Sequence, residues 1–352
     1  WCAGQPWVRP VQPEEVYLYA RGVALFASSS QVVEYVAGAE PPTSAARSNP
    51  TPMASVDHAT TTSTPATTAP GTDLTAPPSA GGLSFEPPAG SNAWAIGSQR
   101  TATGGGALLM NPHLPWDGEF RWSEVHLTVP GKLNIYGAQL AGIPGIGMGF
   151  TDTFGWAHTT ASGNRFAFYT LKLVPGSPTA YRYGSTTRRM TSQRITIDVR
   201  GADGKLTSET RTRWRSHYGP ILEVPGIFEW TGTQAVSFRD ANIDNEEFAE
   251  QYLATTTASS LDDFVRIQRT YQGQPVFNTL AASADGRIWY GDLSATPALS
   301  PTAERIYRQQ LATNPLVAAA HDRRVALLDG SDPRFEWQNL PGARDPGLVP
   351  YS

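Results

Sequence analysis

Much of the chain alternates apolar and polar residues in short runs, the period of a half-buried strand. Residues 125–129, 133–136, 166–173, 193–199, 207–214, 221–223, 235–239 and 287–290 alternate or are rich in β-branched and aromatic side chains, which predicts strands. Gly201-Ala202-Asp203-Gly204-Lys205 supplies a hairpin turn between two of them. A helical period appears near the start. After Pro13-Glu14-Glu15, the residues Val16, Tyr19, Ala20, Val23, Ala24 and Phe26 share one face, predicting a helix over 12–37 that breaks near Ser28-Ser29-Ser30. Further helices are expected over 245–254, over 260–271, and in a shorter piece over 307–311. Ser260 caps the second of these, with Asp262 and Asp263 in its first turn. Strands with helices packed on them make the fold class α+β, β-rich after residue 91.

Composition narrows the picture. Of 352 residues, 40% are hydrophobic and 10% aromatic, enough for a globular core. Residues 40–82 differ: Pro, Thr, Ala and Ser dominate, too little apolar surface to offset the entropy of ordering. They read as a disordered or extended segment. No apolar run approaches about 18 residues, so no membrane span is expected. The net charge of −4 is spread over interspersed charges of both signs, which leaves no footprint for nucleic acid. Arg211, Arg213 and Arg215 fall on one strand face and, with Arg188 and Arg189, read as solvated positions. Cys2 is the single cysteine, so no disulfide within the chain can form. His58, His126, His158, His217 and His321 show no ligand spacing, and neither metal nor other cofactor is expected. The chain begins at Trp1 without a signal-like segment and reads as an excerpt.

One junction carries chemistry. Gly90-Ser91 lies between the irregular Pro87-Pro88-Ala89 and an alternating run over 92–97. A serine at a strand start can turn its hydroxyl onto the preceding carbonyl. If the 90–91 bond breaks, Ser91 gains an α-amino group beside its own hydroxyl. Such an amine, with a pKa near 8, suits the removal of a hydroxyl proton at neutral pH. Nucleophile and base would then share one residue, a variant of triad logic. The turn Gly104-Gly105-Gly106 and the run 107–110 predict a return strand that brings His113 towards Ser91, where its imidazole could bond the serine hydroxyl.

Gly90-Ser91-Asn92-Ala93, Asn111-Pro112-His113-x-Pro115-Trp116, His126-Leu127-Thr128-Val129-Pro130-Gly131 and Gly155-Trp156-x-His158-Thr159 together resemble the penicillin acylase family of N-terminal-nucleophile hydrolases. The likeness is greatest to its acyl-homoserine lactone and aculeacin-type acylases. The resemblance implies a four-layer αββα sandwich, truncated here at both ends. It also implies three segments: 1–39 as the end of an α subunit, 40–90 as a spacer ending at a self-cleavage site, and 91–352 as the start of a β subunit. Residue by residue, it makes Ser91 the nucleophile and, through its amine, the base. His113 orients and assists it, and the Thr160 backbone N–H serves the oxyanion hole. Leu114, Tyr252, Val276 and Phe277 are implied as substrate-binding residues. A second oxyanion donor, an asparagine side chain, is expected just past Ser352. The function expected is hydrolysis of N-acyl amides, acyl-homoserine lactones or lipopeptide tails, by a secreted or periplasmic α/β heterodimer. A β-lactam acylase and a non-catalytic scaffold are the alternatives. A Gly-x-Ser-x-Gly hydrolase is disfavoured because that pattern does not occur.

Overall fold

The computed structural model describes residues 9–26, 29–42, 90–114, 116–118, 121–323 and 325–351. Cys2, His58 and most of the expected spacer lie outside the described residues. In chain order, helix α1 (Pro13–Phe26) and the short α2 (Val33–Ala37) are separated by a 3-10 turn at Ser29–Val32, so the helix breaks where three serines interrupt the apolar face. A hairpin follows, β1 (Ser91–Ile96) and β2 (Ala107–Pro112). The strands β3 (Trp122–Val129), β4 (Leu133–Leu140), β5 (Met148–Phe150) and β6 (Phe154–Thr160) then form an antiparallel meander. Next come β7 (Phe166–Val174), β8 (Ser177–Tyr183), β9 (Thr186–Arg189), β10 (Thr191–Arg200), β11 (Leu206–Arg215), β12 (Ile221–Leu222) and β13 (Gln234–Asp240). Two helices, α3 (Glu247–Thr256) and α4 (Leu261–Tyr271), lead to β14 (Phe277–Ser283) and β15 (Ile288–Asp292). The helices α5 (Pro301–Thr313) and α6 (Pro315–Asp322) precede β16 (Ala326–Asp329).

Two six-stranded sheets organise these elements. The first runs β15-β14-β6-β5-β4-β3; the second runs β12-β13-β7-β8-β9, with β16 parallel to β7. Strand β7 is buried on both faces. Phe166 and Phe168 enter a core with Phe238, Val317 and Ala320, while Tyr169 and Leu171 enter another with Trp230 and Phe335. That is why its sequence reads as a near-continuous apolar run. Arg211, Arg213 and Arg215 pair with Ile195, Gln193 and Thr191 and share one face of the β10-β11 hairpin, as their spacing predicts.

The first sheet positions the site. On one face α4 seals it, with Phe264 fully buried and its ring centroid 5.6 Å from Phe154, 5.8 Å from Trp156 and 5.9 Å from Trp289. Ser260 caps α4 by accepting from the Asp263 N–H. On the other face lies the β1-β2 hairpin. Its turn end is fixed by the Gly106 N–H donating to the Ser283 carbonyl at 3.1 Å and the Ser98 N–H to the Gly286 carbonyl at 3.0 Å. Helices, sheet and hairpin therefore stack in that order, and the hairpin's outer face leaves Trp94 and Leu109 about half exposed. Among the described residues no helix is long and apolar enough to cross a membrane.

Candidate active site

Ser91 opens β1 opposite Pro112, and the register runs from that pair to Ile96 opposite Ala107. The Ser91 Oγ–H donates to the carbonyl oxygen of Gly90 at 2.7 Å. The same oxygen accepts the His113 main-chain N–H at 3.0 Å. Serine hydroxyl and strand partner thus converge on the carbonyl of the bond expected to break.

Strand geometry decides what His113 can reach. In an antiparallel pair, directly opposite residues share a face and successive residues alternate. His113 lies opposite Gly90, so its imidazole falls on Gly90's face and away from the Ser91 side chain. A Cβ placed on Gly90 would meet the imidazole Nδ1 at 3.8 Å, an ordinary contact. The ring Nε2 is 3.0 Å from the Asn111 amide Nδ2, within hydrogen-bond reach. Among the described residues the hydrogen bonds thus join the imidazole to Asn111 and the Ser91 hydroxyl to Gly90. His113 touches the junction through its main chain, and Asn111, two positions earlier, holds the ring. Among the described residues a Cβ on Gly90 meets nothing within 4 Å besides the His113 Nδ1.

Thr160 ends β6 opposite Phe277. The Ala161 N–H donates to the Val276 carbonyl at 2.8 Å, and the Phe277 carbonyl turns the other way to accept the Leu293 N–H at 3.1 Å. Thr160 and Phe277 are thus a non-hydrogen-bonded pair, and the Thr160 N–H points away from β14. Strand β5 pairs with β6 only at Trp156 and Gly155. The Thr160 N–H emerges beyond that pairing, where the sheet leaves it without a ladder partner among the described residues. A fixed main-chain donor of this kind suits an oxyanion.

The remaining predicted residues fall into a second group. Tyr252 and Phe277 gather round the buried His158 on the helix face of the sheet, with ring centroids at 6.0 and 5.2 Å. His158 Nδ1 is 2.9 Å from Thr279 Oγ1 and its Nε2 is 3.4 Å from the Gln274 amide nitrogen. Burial pushes His158 down to about 4, so the ring is neutral at neutral pH. Burial also pushes the Tyr252 phenol up, and its hydroxyl has no hydrogen-bond partner among the described residues. Alternation along β14 turns Val276 towards the hairpin face, where it is buried, and Leu114 is half-buried just after β2. No hydrogen bond among the described residues joins Ser91 to this group. Both lie at one end of the sheet, because the hairpin's other end is tied to the β14-β15 turn. A cleft of about 920 Å³ lined by Ser98, Arg100, Asp262, Arg287 and Trp289 sits at that opposite end, away from Ser91. His158, which the sequence places in the Gly155-Trp156-x-His158-Thr159 motif without metal-ligand spacing, is a buried ring held by Thr279 and Gln274.

Comparison with known proteins completes this picture. The penicillin amidase family profile matches residues 5–352. The acyl-homoserine lactone acylase PvdQ of Pseudomonas syringae pv. syringae (strain B728a) is 35% identical over 351 residues, covering 100% of this chain and 42% of that protein. The aculeacin-A acylase of Actinoplanes utahensis is 32% identical, covering 99% of this chain and 41% of its own length. This chain therefore spans about two fifths of the relatives it matches. A thermostable penicillin G acylase from Alcaligenes faecalis superposes with a TM-score of 0.51 at 20% identity, covering 60% of this chain and 36% of that one, and shares its fold. A mixed, sheet-rich fold, the solved neighbour and a family match over nearly the whole length lead to one assignment: the chain belongs to the penicillin amidase family.

Proposed function

We propose that the protein of which this chain is part hydrolyses the amide bond of N-acyl substrates, with Ser91 as an N-terminal nucleophile released by cleavage after Gly90. The observation that carries this reading is the Ser91 hydroxyl seated on the Gly90 carbonyl at the head of a strand. In the processed protein the Ser91 α-amino group takes the hydroxyl proton and Oγ attacks the substrate carbonyl. The amine leaves with that proton, and water then releases the acid from the acyl ester. The Thr160 N–H stabilises the oxyanion, and an asparagine beyond residue 352 is its proposed second donor. Asn111 and His113 hold the chain next to the junction.

The proposed substrates are acyl-homoserine lactones or the acyl tails of cyclic lipopeptides, in keeping with what relatives are named for. Leu114 and Val276 stand on or near the nucleophile's side, an apolar lining suited to an acyl chain, while Phe277 and Tyr252 lie on the helix face at the same end of the sheet. The chain's segments are proposed as α subunit (1–39), spacer (40–90) and β subunit (from 91), assembled as a heterodimer and exported from the cytoplasm. Hydrolysis of N-acyl-homoserine lactones of graded acyl length by the full-length protein, followed as amine release, tests the reading. Turnover abolished by Ser91→Ala is expected. No turnover of these lactones or of a lipopeptide, alongside turnover of a penicillin, would replace it by the β-lactam alternative.

A further inference from the structure

Four features of the hairpin bear on how the 90–91 bond breaks. The Gly90 oxygen accepts from both Ser91 Oγ at 2.7 Å and the His113 N–H at 3.0 Å. Hydrogen-bonded rungs therefore fall at 90–113, 92–111, 94–109 and 96–107, with 91–112, 93–110 and 95–108 between them. Pro112, which has no N–H, occupies one of the positions where none is needed; a slip of one residue would put it on a rung. The Ser91 nitrogen also points out of the ladder, so no strand bond among the described residues holds it.

We propose that the main-chain N–H of His113 is the catalytic oxyanion donor for self-cleavage, acting without help from its imidazole. The inference rests on the reading of Gly90-Ser91 as the cleaved junction. Ser91 Oγ attacks the Gly90 carbonyl carbon, forming the C–O bond, and its proton passes to the Ser91 nitrogen. The C–N bond breaks and leaves that nitrogen as the α-amino group. The resulting Gly90–Ser91 ester takes up water to give the Gly90 carboxylic acid and the free hydroxyl. As Oγ turns from donor into attacking atom, it stops donating to the Gly90 oxygen. The His113 N–H is then the donor that remains there among the described residues, held in place as the last rung of the ladder. A donor fixed before charge develops is what stabilises such an intermediate. The Thr160 N–H is left for the later hydrolysis of substrate, so the two reactions use different main-chain donors. Pro112 fixes the register that aims the first.

The test follows self-cleavage of the full-length precursor during cell-free translation. Position 113 is filled either with alanine (His113→Ala) or with lactic acid, which has the same methyl side chain but an ester oxygen in place of the N–H. The hydroxy-acid analogue of leucine at position 109 removes a different rung, one that does not touch Gly90. His113→Ala and the position-109 ester are expected to cleave within about tenfold of the parent. The position-113 ester is expected to be slower than His113→Ala by about 100- to 1,000-fold. Equal rates for alanine and lactic acid at 113, or equal slowing by the esters at 109 and 113, would overturn the proposal. Ser91→Ala runs in parallel: cleavage in that variant would remove the underlying reading, whereas the ester comparison bears on the donor alone.

Discussion

Alanine at Gly106 should do more harm than alanine at the cleavage junction itself. A Cβ on Gly106 would stand 2.5 Å from the Ser283 carbonyl oxygen and 3.2 Å from the Ala282 Cβ. Neither neighbour can withdraw, since both belong to the backbone or first carbon of β14, and the Gly106 N–H is bonded to the same carbonyl at 3.1 Å. Restoring an ordinary 3.4 Å contact lifts the hairpin's turn end by about 0.9 Å, the difference between 3.4 and 2.5 Å. Overpacking of this kind costs about 1–3 kcal/mol. A displacement near 1 Å, carried along the hairpin to Ser91, slows a positioned reaction by up to about 100-fold. At Gly90, among the described residues, the added Cβ meets only the His113 Nδ1, at 3.8 Å, so Gly90→Ala should cleave within a few-fold of the parent. The assay is a time course of precursor cleavage on denaturing gels, with thermal unfolding of the Ser91→Ala forms measured beside it. Parent-like cleavage in Gly106→Ala, or slower cleavage in Gly90→Ala than in Gly106→Ala, would refute the reasoning.

Acid should destabilise the protein through His158. Its folded pKa is depressed to about 4 from an ordinary 6.5, so the unfolded chain takes up the proton first. Stability is lost as pH falls from about 6.5 to 4, by roughly 3 kcal/mol in all. In His158→Phe the dependence of denaturant midpoint on pH across that window should flatten. Phe264→Ala should cost about 3–5 kcal/mol in urea unfolding, because a fully buried ring between Phe154, Trp156 and Trp289 is removed. If the acyl chain passes Val276, Val276→Phe should lower kcat/KM for long acyl chains relative to short ones by about tenfold; an unchanged ratio would place the chain elsewhere.

The hairpin at the junction was legible because a glycine turn separates two runs of strand period, and α4 because Ser260 and two aspartates mark its start. Which residues face one another was not legible. The side on which His113 falls depends on pairing Ser91 with Pro112, and that register is fixed by contacts of Gly106 and Ser98 with a turn about 180 residues downstream. Strands β6 and β14, which carry Thr160 and Phe277, gave weak signals: Gly155, His158, Asn278 and Thr279 break the apolar pattern, and burial on both sides hides the alternation. Only residues 307–311 of α5 stood out, although its N-cap Ser300 and Pro301 start it earlier. Helix α6 follows at once from the Asn314-Pro315 start and is too short to show a period. The buried surroundings of His158 come from α3 and from residues 274–279, far from it in sequence, and have no local signature. Family motifs singled out Ser91 and Thr160; they carry no information on which atom of His113 meets the junction.

The most direct test of Ser91 as a self-released nucleophile is the intact mass, under denaturing conditions, of the protein translated from its full open reading frame beside its Ser91→Ala variant. The parent should give two chains, one ending at Gly90 or trimmed from it and one beginning with a free amino group at Ser91, while the variant stays whole. A single uncut chain in both, or the same cleavage in both, would contradict the account.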